Sequence, residues 1–152
     1  MDPRIVAALL VAAALLTGCT QPDTEKLKAE LVAADKAFSA SSIKKGPKAA
    51  FLAAIARDCK LLNDSRVGAD AVNDVFIQLP DTATLTWEPS FVDVSASGEL
   101  GYTWGRYELV VPMTKQGTPP LIRRGTYVTI WRRQPNRTWK VEFAGGNFDG
   151  TR

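Results

Sequence analysis

From Thr84 onward the chain is built of four runs in which apolar and polar positions alternate: Thr84 to Val94, Leu100 to Met113, Leu121 to Arg133 and Thr138 to Phe148. Val, Ile, Thr and aromatic residues crowd these runs. Turn chemistry separates them at Ser97-Gly98, at Gln116-Gly117-Thr118-Pro119-Pro120 and at Gln134-Pro135-Asn136. Strands joined by such short turns form an antiparallel meander, and a single sheet has to hide at least one face.

The cover is expected upstream, where the period changes from two to that of a helix. Asp23 is placed to cap a helix, with Glu25 in its first turn. Leu27, Leu31, Ala34 and Phe38 then form an apolar stripe, and the helix should fade among Ser39, Ser41 and Ser42. Gly46-Pro47 opens a second helix with Phe51, Leu52 and Ile55 on its buried side. Arg57 to Asn63 reads as a short strand. A third helix follows Gly68, turns Ala69, Val72, Val75, Phe76 and Leu79 inward, and stops at Pro80.

Before all this stands a segment of different character. Residues Met1 to Gly18 carry Arg4, an apolar run from Ile5 to Leu16 and then small residues, the layout of a secretory leader too short to span a bilayer comfortably. Leu16-Thr17-Gly18-Cys19 resembles the bacterial lipobox, in which cleavage precedes a cysteine that is then lipidated. That resemblance implies a signal peptide at 1–18, a lipidated tether at 19–24 and a folded domain over 25–148. Cys19 is then an attachment point to the membrane, since two or more acyl chains hold a protein where one does so only marginally. Thr20 follows where an aspartate would signal inner-membrane retention, so the expected location is the cell envelope, at the outer membrane and facing the periplasm if the source is Gram-negative.

Composition narrows the chemistry. The 152 residues are 45% hydrophobic, enough for one domain with a sizeable core and no need of disulfide or metal staples. A net charge of +3 falls well short of a nucleic-acid footprint. There is no histidine, which removes the commonest metal ligand and the side chain best suited to proton transfer near neutral pH. No metal cluster, glycine-rich phosphate loop or Ser-His-Asp set is legible, and no cofactor is expected. With Cys19 lipidated, Cys59 has no partner within the chain; in the first strand next to Leu61 and Leu62, it reads as a small buried hydrophobe.

Several stretches together resemble the SnoaL-like family called domain of unknown function 4440: Ala34-Asp35-Lys36-Ala37-Phe38, Leu85-Thr86-Trp87-Glu88-Pro89, Ser97 to Tyr107, Gly125 to Arg133 and Trp139-Lys140-Val141. The resemblance covers roughly Glu25 to Phe148. It implies the nuclear transport factor 2-like fold, an α+β cone with three N-terminal helices packed on a curved, mostly antiparallel sheet. It also implies a pocket on one sheet face and a second copy of the chain against the other, hence a homodimer. Where such relatives often carry an aspartate after the Trp-Lys-Val strand, this chain has Ala144.

A pocket under the cone would be walled by some of Trp87, Tyr102, Trp104, Tyr107, Tyr127 and Trp131, apolar walls with few polar groups being the usual ligand-site pattern. Acid/base chemistry would need a carboxylate and an oxyanion donor such as a tyrosine. Asp35, Asp58, Glu88 and Glu108 are the carboxylates on offer, with Tyr102, Tyr107 and Tyr127 as donors, and no spacing singles out a pair. More often a residue in the position of Asp58 caps a turn, and one in the position of Glu108 pairs across strands, here with Arg124 or Arg106. Arg123, Arg124, Arg132, Arg133, Arg137 and Lys140 gather near the last hairpins, as solvated strand ends or as a contact for anionic headgroups. The function expected from the sequence is a membrane-tethered module that binds a small apolar molecule or a partner without turnover. The alternative is a small isomerase-, cyclase- or dehydratase-like enzyme.

Overall fold

The structure, a computed structural model, describes residues 21–62 and 64–150. The expected leader, Cys19 and the first residues of the tether lie outside the described residues, as does Asn63. The elements are α1 (Thr24–Lys45), α2 (Pro47–Ala54), β1 (Ile55–Leu61), α3 (Gly68–Val75), β2 (Thr84–Val94), β3 (Leu100–Val111), β4 (Leu121–Arg133) and β5 (Trp139–Phe148). They form an α+β domain in which three helices pack on a curved five-stranded sheet of order β1-β5-β4-β3-β2. β2 to β5 are an antiparallel meander, and β1 joins β5 in parallel.

Local chemistry accounts for the elements. Asp23 caps α1 by accepting the Lys26 N–H at 3.1 Å, and Lys44 and Lys45 sit in the last turn, where the helix dipole favours cations. The helix does not fade at its serines, as the sequence suggested, because two of them are tied to the sheet. The Ser42 hydroxyl donates to the Leu85 carbonyl at 2.8 Å, and Ser39 Oγ accepts the Trp87 N–H at 3.0 Å. β2 is an edge strand, and these are backbone groups that no further strand satisfies. Serines one helical turn apart thus match strand positions two residues apart.

The upstream elements differ from expectation in four places. Ile55 opens β1 instead of closing α2, and Leu52 is exposed. α3 ends at Val75, since Phe76 bonds back to both Val72 and Asp74 and tightens the chain into turns; Ala71 instead of Ala69 faces the core. Gly68 opens α3 with φ +60°, and any Cβ there would strike the Arg57 carbonyl of β1, so only glycine fits.

Pairing shifts between Pro89 and Phe91 in β2, between Ile130 and Trp131 along β4 and within β1 bend the strands. The concave face so formed receives the core: Leu31, Phe38, Ala71, Val72, Trp131 and Val141 are all buried between helices and sheet. Burial of a side chain such as Leu31 contributes roughly 1.5–3 kcal/mol. Cys59 is buried in the same cluster.

Candidate functional site

Between α1, α2, α3 and the concave face of β2 to β5 lies a cavity of about 330 Å³. Phe38 of α1, Phe51 of α2 and Phe76 after α3 close it from the helix side. Leu85 and Trp87 of β2, Tyr107 and Leu109 of β3, and Tyr127 and Thr129 of β4 close it from the sheet side, and Ala144, Gly145 and Gly146 of β5 complete the wall. Val75 and Phe148, each about half exposed, stand at its opening. Among the described lining residues there is no Asp, Glu, Lys or Arg.

The aromatic walls are locked against one another. Phe38 packs edge-on to Trp87 with ring centroids 4.6 Å apart, and Phe51 packs likewise on Phe38 at 4.8 Å. Behind two of these walls lies Asp35, a fully buried carboxylate. One of its oxygens accepts the Trp87 indole N–H at 2.7 Å and the other accepts the Tyr127 hydroxyl at 2.7 Å. Thr103, also buried, is the neighbouring polar group and itself accepts the Trp131 indole N–H at 3.0 Å. Burial drives the Asp35 pKa up, and the hydrogen bonds from Tyr127, Trp87 and Thr103 only partly offset it. The Tyr127 hydroxyl is pushed up as well, by burial and by the Asp35 carboxylate it faces.

Asp35 is the one of the four candidate carboxylates that the fold brings to the cavity wall. Asp58 is exposed on β1. Glu88 is exposed and pairs with Lys36 at 2.6 Å. Glu108 accepts from Arg124 Nε at 2.7 Å across β3 and β4. Of the six aromatic candidates, Trp87, Tyr107 and Tyr127 line the cavity, and Trp131 lies deeper in the core. Tyr102 and Trp104 do not line it. They alternate with Thr103 and Gly105 and therefore project from the convex face, 39% and 44% exposed. Tyr107 reaches the Asn147 carbonyl through its hydroxyl at 3.3 Å.

Phe38, Phe51, Phe76 and Phe148 were not singled out as walls from sequence, because helix and strand-end phenylalanines read as ordinary core. The burial of Asp35 did leave a signal: it stands four residues after Leu31 and three before Phe38, on the stripe that the helix turns inward. Ala144 lies on the cavity wall, so a carboxylate at that position would enter the pocket.

On the convex face Phe91, Tyr102, Trp104 and Ile130 form an exposed apolar patch across β2, β3 and β4. Several cations near it are paired: Arg124 with Glu108, Arg132 with Glu142, and Arg106 with Asp149. Arg133 pairs with Glu30, and Arg123 stacks over the Phe148 ring. Among the described residues no group of three or more His, Cys, Asp or Glu could hold a metal ion.

Neither a family model nor a curated protein sequence matches the chain. Solved structures do match it in shape. A ketosteroid isomerase-like protein from Erwinia carotovora atroseptica aligns with a TM-score of 0.65 at 17% identity, over 82% of this chain and 97% of that one. A nuclear transport factor 2-like protein with a cystatin-like fold from Novosphingobium aromaticivorans aligns at 0.61 with 14% identity, over 99% and 92%. An LEH-like epoxide hydrolase of M. tuberculosis aligns at 0.53 with 15% identity, over 84% and 81%. At such identities shape is what is shared, and the chain has the nuclear transport factor 2-like, cystatin-like fold.

Proposed function

We propose that this chain is a SnoaL-like envelope lipoprotein, tethered through lipid on Cys19, whose cone binds one small, mostly apolar molecule and does not turn it over. The observation that carries this reading is the state of Asp35. Its two oxygens are both taken by Trp87 and Tyr127, and its carboxylate faces those groups instead of the open cavity. A general base has to reach a substrate proton, and an oxyanion donor has to have its proton to give. Here Asp35 and Tyr127 are bonded to each other, and Tyr107, the other phenol of the lining, donates its hydroxyl to the Asn147 carbonyl. With Ala144 where relatives often carry an aspartate, the described lining residues include no carboxylate. The four exposed apolar side chains of the convex face support association with a second copy through the sheet.

The enzyme alternative draws on the same pair: a buried carboxyl with a raised pKa beside a pocket is a frequent mark of catalysis. The ketosteroid isomerase-like and epoxide hydrolase-like characters of two structural neighbours belong to those proteins. One experiment separates the readings. Protein purified from its native membrane is extracted with organic solvent, and the released small molecules are identified by mass spectrometry, for wild type and for Ala144→Leu, which fills the cavity. A molecule present only in the wild-type extract, and recovered unchanged after prolonged re-incubation with fresh protein, supports binding. A product that accumulates with time supports the enzyme.

A further inference from the structure

Resting on the reading of the cavity as a binding site, we infer that the molecule it takes is an organic cation of the quaternary ammonium type, held by the aromatic walls in front of the Asp35 carboxylate.

Asp35 is fully buried, and its hydrogen-bond partners are neutral donors. Among the described residues no Lys or Arg forms an ion pair with it; Lys36, the next residue, turns to Glu88 instead. Buried carboxylates are usually paired with a cation, because an uncompensated charge in a low-dielectric interior is costly. The fold thus leaves a negative group one hydrogen bond behind the cavity wall without a positive one to match it. A bound cation would supply the match.

The wall transmits that charge. Trp87 and Tyr127 each donate to Asp35 at 2.7 Å, and a donor held by a carboxylate is polarised so that its ring carries more electron density. Trp and Tyr are the rings that attract cations best, and Phe38, Phe51 and Phe76 add further quadrupoles around the same space. The absence of ionised side chains from the described lining then selects the kind of cation. A primary ammonium would lose its water and find few acceptors for its N–H groups, whereas a quaternary ammonium has no N–H to satisfy. An anion would meet the carboxylate behind the wall. The cavity volume, about 330 Å³, suits a small ligand.

The test compares one shape with and without charge. The full chain carrying Cys19→Ser, so that neither lipid nor detergent is needed, is titrated with benzyltrimethylammonium and with neopentylbenzene, its uncharged isostere. Calorimetry gives the affinities. The expected result is a preference for the cation of about tenfold. Asp35→Asn should reduce that ratio to near one, and Trp87→Phe, which keeps an aromatic ring but removes the donor, should reduce it in part. The second variant keeps the test open if the first fails to fold. Equal or tighter binding of the isostere overturns the cation while leaving an apolar binding site intact. A preference unchanged in both variants overturns the role given to Asp35. Failure of both probes to bind overturns the cation and the binding site together.

Discussion

The hydroxyl of Tyr127 donates to the carboxylate of Asp35 at 2.7 Å, joining β4 to α1 across 92 positions of sequence. Neither group is dispensable to the other. Removing the donor by Tyr127→Phe leaves a buried acceptor short of a partner, a loss of about 1–3 kcal/mol. Urea titration of wild type and variant should show this as a lower midpoint with an unchanged slope.

The same carboxyl makes stability depend on pH in an uncommon direction. Burial raises the folded pKa of Asp35 above the ordinary 3.8, so over the window between those values the folded chain holds a proton that the unfolded chain has released. The contribution of this group to stability is therefore greatest below 3.8 and is lost as pH rises through the folded pKa. Asp35→Asn should remove that fall. Thermal melts across the acidic range, wild type against variant, measure it, and parallel curves would count against a raised pKa.

Cys59 should be inert. Its thiol is pushed up to about 12 from the ordinary 9.0, mainly by burial, with Glu142 and Asp58 adding repulsion. At mildly alkaline pH its reaction with a disulfide reagent should be slower than in the unfolded chain by on the order of a thousandfold. Native and denatured protein compared side by side give the ratio.

Trp104 marks the convex face as an interface or as bare surface. An indole that is 44% exposed should cost the isolated chain little on truncation, about 1 kcal/mol or less, against the several expected for a core residue. If a second copy covers it, Trp104→Ala should weaken self-association markedly while barely moving the melting point of dilute protein. Sedimentation equilibrium across a concentration series, paired with the melts, distinguishes the two cases.

Ala144 offers a gain-of-charge test. Ala144→Asp would set an ionisable group among Leu61, Thr129 and the aromatic walls, where it has no cationic partner among the described lining residues. Stability should drop by about 1–3 kcal/mol near neutral pH and recover on acidification, which urea titrations at two pH values would reveal.

The meander was legible because its signals are local. Alternation and turn residues placed β2 and β4 at Thr84–Val94 and Leu121–Arg133, where the structure has them. Which face is concave was not local: it is decided by the helices that arrive from elsewhere, so Tyr102 and Trp104 stood beside Trp87 and Tyr127 as equal candidates. Serines 39 and 42 looked like the end of a helix because their hydrogen-bond partners, Leu85 and Trp87, are more than forty residues away. Asp35 and Tyr127 could be named separately from sequence, but their pairing depends on α1 lying across β4, which no spacing reveals.

The stitching of Ser39 and Ser42 onto β2 also limits how this molecule can meet its neighbours. Over that stretch the outward backbone groups are already spoken for, so an incoming extended segment finds no ladder to continue. Growth by strand addition on that side would first require α1 to peel away, exposing Phe38 and Leu31 to water. With α1 in place, this stretch of the sheet edge is closed to strand addition.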